Sequence, residues 1–297
     1  GRPGELLYGW QGEQSRDNCH AGANDLTMKM AFSTLACPDW TFAQIVAMAS
    51  AEHYDGIELR FIEGQDSLYK LPAFRGDGLA ATRRILAENA LTICCLDTSC
   101  RFHFPDARER ANWIEEGERM AALAAELGAP GIRVFGDQIQ SGANRESTRN
   151  WIAESIRVLA DRVGDATEIW LETHGDFASA PETMSILWGA DTQRAGVIWD
   201  PANCWTDSEE QPDAGAAALG TSIRHVHIKD LHRSGDTWKP VLNAEGSFPL
   251  SDVRDSLRRL NYEGFVSYEW EKKWHPEIPD ATIALPHFAR WFRENWS

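Results

Sequence analysis

The chain has 297 residues, enough for one large domain with a full core. Its formal net charge of −16 argues against a nucleic-acid partner, because phosphate binding rests on clustered Lys and Arg. No apolar run approaches the roughly 20 residues that a membrane span needs.

Residues 1–27 are polar and Gly-rich, with no periodicity and no apolar stretch of the signal-peptide type. They read as an N-terminal extension, a tag remnant or an over-extended start, and the domain is expected over 28–297. The six cysteines form no CxxC pair and no zinc spacing, and Cys94 and Cys95 sit side by side in an apolar run. Such usage fits a reducing cytoplasm.

From Met28 onward, short apolar runs alternate with amphipathic ones. The strand candidates are 28–34, 55–60, 91–98, 131–137, 168–174, 195–201, 224–230 and 264–270. Helical patterns lie between them, and two end at Gly128 and Gly164, where a helix is expected to stop. Strands alternating with helices imply parallel pairing. Eight such units predict an α/β fold, a closed (β/α)8 barrel, which takes about 250 residues. An open doubly wound sheet is the alternative, but no Gly-rich phosphate loop follows the first strand. The longest connection, about 231–247, exceeds a plain βα loop and could cover a site.

Within the late strands, alternation sorts the side chains by face. His225, His227 and Lys229 share one face of HVHIKD; Trp170, Glu172 and His174 share one of IWLETH; Ser267, Glu269 and Glu271 share one of FVSYEWE. Glu172, Asp200, His227 and Glu269 close four successive strands. In a parallel barrel the strand ends meet at one mouth, so three carboxylates and an imidazole can surround one divalent metal. This oxygen-rich set suits Mn²⁺ first, then Mg²⁺ or Co²⁺; without thiolates it fits Zn²⁺ less well.

These residues carry a resemblance. GIELR, LETHGDF, WDPANCW, HVHIKD, AEGSFPL and YEGFVSYEWE, over about Met30 to Trp296, resemble the xylose isomerase-like TIM barrels, which include D-tagatose 3-epimerase and inosose-processing enzymes. The resemblance implies that Glu172, Asp200, His227 and Glu269 hold the metal, and that Glu172 and Glu269 are the catalytic acid/base pair. The expected function is isomerisation or epimerisation of a small keto or aldo sugar, or a keto-inositol, through an enediolate. A carboxylate on each side of a carbon next to a carbonyl can take a proton from one face and return it to the other.

Dehydratases and lyases on keto-sugars or keto-inositols share the proton abstraction and stay open as alternatives. A non-catalytic sugar-binding barrel is more remote, since no ligand is missing. So is an endonuclease IV-like repair enzyme: Asn203 stands three past Asp200 where that motif carries His, and WKPVLNAEG holds no HxH pair. The expected partner is a small sugar or polyol; a homo-oligomer is compatible with the sequence.

Further substrate contacts are expected from His174, Asn203, Lys229, Glu58, His103 and Trp238. Each has a plain alternative. His174 could pack against Phe177, Lys229 could be a solvated surface lysine, and Glu58 could pair internally with Arg60. His225 reads as a core histidine, Asp97 and Asp137 as weaker candidates for the mouth, and Trp205 as a second aromatic contact. Lys272, Lys273 and His275 could bind an anionic group, with ordinary surface charge the plainer reading.

Overall fold

The computed structural model describes residues 28–235 and 237–296. The proposed extension, 1–27, lies outside the described residues. Eight strands form one closed barrel: β1 (Lys29–Ser33), β2 (Gly56–Leu59), β3 (Thr92–Arg101), β4 (Gly131–Phe135), β5 (Glu168–Glu172), β6 (Ala195–Trp199), β7 (Ile223–Ile228) and β10 (Phe265–Tyr268). Every neighbouring pair is parallel, and β10 closes the ring on β1. The eight expected strands all form, each shifted by a few residues at most. The largest shift is in β3, which runs on to Arg101 after a register irregularity beyond Asp97.

The helices α1 (Phe42–Ala51), α2 (Gly76–Glu88), α3 (Ala107–Leu127), α4 (Arg145–Val163), α5 (Ala180–Ala190), α6 (Pro201–Ser208), α7 (Pro212–Leu219), α8 (Leu250–Arg259) and α9 (Ala281–Asn295) lie between and after the strands. Their ends follow local chemistry. Thr41 and Asn144 cap α1 and α4 with reciprocal side-chain bonds to the third residue of each helix. Gly128 stops α3 in the left-handed region at φ 73°, which a residue without Cβ adopts freely.

The strand alternation builds two different interiors. Outward residues such as Phe32, Ile57, Val134, Leu171 and Val226 are fully buried and merge with the helix faces in one apolar cluster. Each such side chain contributes about 1.5–3 kcal/mol by leaving water. The inward apolar content is small: Cys95, Trp170 and Ile198 form a separate cluster. The Trp170 indole covers Gly131, where an added Cβ would come within 2.2 Å of it. Above this plug the inward positions turn polar.

The long connection after β7 is an antiparallel hairpin, β8 (Asp230–Ser234) with β9 (Thr237–Val241), where only a loop was expected. The Asp230 carboxylate accepts from the backbone N–H of Leu231, Ala244 and Gly246, tying the return of the connection to the end of β7. No helix among the described residues is long and apolar enough to cross a membrane.

Candidate metal centre and cavity

Four strand ends deliver the centre. Glu172 is the last residue of β5; Asp200 follows β6; His227 lies near the end of β7; Glu269 follows β10. All four are buried, and their ligand atoms lie within 4.8 Å of one another. His227 Nδ1 stands 3.4 Å from Glu269 Oε1, 3.7 Å from Glu172 Oε1 and 3.9 Å from Asp200 Oδ2. It is buried and has no hydrogen-bond partner.

Local bonds fix the candidate ligands Asp200 and Glu172. Asp200 caps α6: its Oδ1 accepts from Asn203 N at 2.9 Å, and Pro201 occupies the first helical turn, where its missing N–H costs nothing. One carboxylate oxygen is thereby spent on the helix, and the other faces the centre. Thr173 Oγ1 accepts from Asp200 N at 2.8 Å. Asn203 Nδ2 donates to Glu172 Oε1 at 3.3 Å and to Thr173 O at 3.2 Å. Asn203, expected at a substrate contact, thus lines the cavity while holding Glu172.

Below His227, Glu58 accepts from two imidazoles, His227 Nε2 at 2.8 Å and His225 Nε2 at 2.7 Å. A carboxylate can only accept, so both Nε2 atoms carry hydrogen and His227 turns its Nδ1 to the centre. Glu58 is fully buried, so the expected substrate contact is replaced by a supporting role. The expected pairing of Glu58 with Arg60 is also absent: the Arg60 side chain donates to Ser99 instead. His225 is the core histidine foreseen, stacked at 6.0 Å on Trp170.

Two buried cations complete the centre. Arg133 Nη1 lies 3.0 Å from Glu172, 3.3 Å from Asp97 and 3.5 Å from Glu269. Lys229 Nζ lies 2.8 Å from both Asp200 and Glu269, and 2.6 Å from Glu271. Lys229 is therefore no solvated surface lysine. Arg133 was not singled out in the sequence; its only signal was a charge at an inward position of an apolar strand, GIRVF.

Arg133 and Lys229 face the carboxylates of Asp97, Glu172, Asp200, Glu269 and Glu271, so carboxylates outnumber these two cations around the centre. Burial works to raise the Glu172 carboxyl, but Arg133 and His227 outweigh it and hold it down at about 2. Burial likewise opposes ionisation of Glu269, and Lys229 and His227 bring it below its ordinary value. Asp200 goes the other way: burial, against the pull of Lys229, pushes it up to about 7. Burial disfavours charge on His227, yet the carboxylates of Glu58, Glu269 and Glu172 raise it well above the ordinary imidazole range. A cation is wanted at the place His227 Nδ1 faces. The donor set of three carboxylates and an imidazole fits a divalent metal there.

The centre forms the floor of a cavity of about 410 Å³, whose lining includes Arg60, Arg101, Asp137, His174, Asn203 and Trp274. His174 borders it as expected, with Nδ1 3.3 Å from Asp137 Oδ1 and its ring 5.0 Å from Phe135, not against Phe177. Asp137 adopts φ 58°, and Gly175 packs so close that a Cβ would approach Asp137 O to 2.7 Å. Two other expected contacts fall outside the lining. His103 is buried, with Nδ1 bonded to Gly136 O at 3.2 Å, and Trp238 lies on β9 with Arg233 over its ring. Trp205 packs edge-on against Phe248. Trp274, 55% exposed and held edge-on by Phe61, lines the cavity together with Phe135.

Comparison with solved structures finds the same fold at low identity. The probable 3-DHS dehydratase AsbF from Bacillus anthracis is 20% identical, with a TM-score of 0.74, covering 91% of this chain and 100% of that one. The 3-keto-D-glucoside 4-epimerase YcjR from E. coli is 18% identical, with a TM-score of 0.71 over 90% and 100% of the two chains. D-psicose 3-epimerase from Clostridium cellulolyticum H10, solved with D-tagatose, is 15% identical, with a TM-score of 0.74 over 91% and 100%. A comparison with curated proteins gives no match. The family profile matches residues 46–294, so the chain belongs to the xylose isomerase-like TIM barrels.

Proposed function

We propose that the protein is a divalent-metal-dependent isomerase or epimerase of a small carbonyl-bearing polyol, a keto or aldo sugar or a keto-inositol. The observation that carries this is His227 Nδ1, buried without a hydrogen bond and facing three carboxylates at 3.4–3.9 Å. Glu172, Asp200, His227 and Glu269 would hold the metal, with Mn²⁺ the first choice. When bound, the metal would supply Lewis-acid stabilisation of the charge that develops on the substrate carbonyl.

The remaining chemistry belongs to the chain. Glu172 and Glu269 come from β5 and β10, with the β6 and β7 ligands Asp200 and His227 between them in the ring. One carboxylate takes the proton next to the carbonyl, and the other returns one to the opposite face of the enediolate. Arg133 and Lys229 favour the ionised form of whichever carboxylate is to accept. The carboxylate that returns a proton must first take one from solvent through the cavity, and Asn203 fixes the rotation of Glu172.

One observation favours dehydration as a second reading. His174 lines the cavity two residues past Glu172, and although burial opposes it, Asp137 and Glu172 raise it above the ordinary imidazole value. A protonated imidazole there could donate to a departing hydroxyl. The test is a panel of ketoses, aldoses and keto-inositols incubated with Mn²⁺-loaded protein in D₂O and followed by NMR. Deuterium at the carbon next to the carbonyl, with the hydroxyl retained, supports the isomerase reading. Loss of the hydroxyl supports dehydration. Conversion without label would exclude proton exchange with solvent, and no conversion across the panel counts against the substrate class.

A further inference from the structure

The cavity contains cations that the proton transfer leaves unused. Arg133 and Lys229 are consumed by the carboxylates of the centre. Arg60 and Arg101 are not. Arg60 follows directly after β2, is 4% exposed, and lies 4.4 Å over the Phe61 ring. Its Nη2 donates to Ser99 Oγ at 2.8 Å, and Ser99 Oγ donates on to Asp66 Oδ2 at 2.8 Å. Its Nη1 is buried and has no hydrogen-bond partner.

Arg101, at the end of β3, lines the same cavity. Its Nε approaches Ser99 O at 3.5 Å, and its Nη1 stands 3.5 Å from Asp137 Oδ2, a carboxylate already shared with His174. Ser99 therefore sets two guanidinium groups on one wall of the cavity, one deep and one at the rim with a side chain 40% exposed. A buried cation without a paired counter-charge is costly. Burial and the neighbouring Arg133 charge already draw Arg60 down to about 10, which leaves it protonated near neutral pH. A neutral hydroxyl could accept one hydrogen bond here but would leave the charge uncompensated. A carboxylate or phosphate both compensates it and matches the flat, forked donors of arginine.

We propose that this wall is an anion subsite, and that the substrate is a polyhydroxy compound carrying a carboxylate or phosphate. Arg60 meets the anion at depth and Arg101 from the rim, with the reacting carbons over Glu172 and Glu269. The assignment rests on reading the cavity as the substrate site.

The test is calorimetric binding to the full chain, with Mn²⁺ and after chelation, using two matched pairs: D-glucitol against D-gluconate, and D-fructose against D-fructose 6-phosphate. A charge-assisted hydrogen bond is expected to favour the anionic member by about tenfold or more. Preference in the first pair identifies a carboxylate, and in the second a phosphate. Arg60→Lys, which keeps the charge but loses the fork, and Arg101→Gln, at the exposed rim where folding is not threatened, should each reduce the preference. The neutral member, which leaves the charge uncompensated, should lose less than the anion does, so the ratio within each pair should fall. Equal binding within both pairs, no binding of either anion, or a preference that survives both substitutions would overturn the subsite. Manganese content by elemental analysis reports separately on the centre. Retained metal without anion preference sinks the subsite alone; anion preference in a chain that holds no metal sinks the proposed function alone.

Discussion

Replacing Glu58 tests the centre from below, without touching a ligand. Its carboxylate accepts from His225 and His227 at once, at 2.7 and 2.8 Å. Glu58→Gln offers one acceptor oxygen and one NH₂ group to two N–H donors. If the amide NH₂ meets His227, that ring must move its proton to Nδ1 and cannot ligate. If it meets His225, that ring must take the other tautomer, which costs a hydrogen bond in a fully buried pair. Loss of such a supporting bond lowers metal affinity by about 10- to 100-fold, or roughly 1.4–2.7 kcal/mol. Glu58→Ala frees both Nε2 donors and should lie at or beyond the weak end of that range, with reduced stability. Manganese titration followed by calorimetry or by the signal of free Mn²⁺ measures the effect. Wild-type affinity in a folded Glu58→Gln protein would refute the tautomer argument.

The other expectations are simpler. Asp200→Ala should lose metal on desalting and also about 0.5–2 kcal/mol of stability through the α6 cap, whereas Asp200→Asn should restore the cap but not the metal; elemental analysis and thermal melts separate the two effects. Metal-free protein holds protons on His227, raised by its carboxylates, and on Asp200, which titrates at about 7. Metal uptake must displace them, so affinity should already fall with pH above 7, where the raised His227 takes its proton, and fall further through about 7 as Asp200 does. Calorimetry in buffers of different ionisation enthalpy should show proton release on binding. Glu269→Gln should lower kcat by about 10²–10⁴ with little change in KM, measured on whichever substrate the panel identifies. Gly131→Ala drives a methyl into the Trp170 indole and should destabilise by about 1–3 kcal/mol in denaturant melts, with metal affinity less affected; an unchanged midpoint would mean that the plug repacks freely.

The barrel itself was legible because its causes are local and repeated. Apolar runs of strand length, alternation within them, amphipathic spacing between them and glycine stops such as Gly128 each act within a few residues. The four candidate ligands were legible for a related reason. In a parallel barrel every strand ends at the same mouth, so a polar residue closing a strand is placed by topology alone, and Glu172, Asp200, His227 and Glu269 share that position. The hairpin from Asp230 to Val241 was not foreseen. Its strands are short and partly exposed, and it is held by Asp230 bonding to Ala244 and Gly246, a contact across fourteen and sixteen residues.

What the sequence determined by itself was the number of barrel strands, their direction and the face each polar residue occupies, since these follow from period and connection length. It could not determine which inward charges meet. Glu58 was read as facing substrate or pairing with Arg60, and Arg133 drew no notice, because a strand pattern gives a side chain's face but not its partner across the barrel. Closing the ring brings β2 to β7 beneath the centre, so that Glu58 orients His227, and brings β4 between Glu172 and Glu269, so that Arg133 balances both. Those partners are separated by more than a hundred residues in two of the three contacts. Only tertiary structure decides them, because burial in a low-dielectric interior forces each charge to find whichever opposite group the closed barrel places within reach.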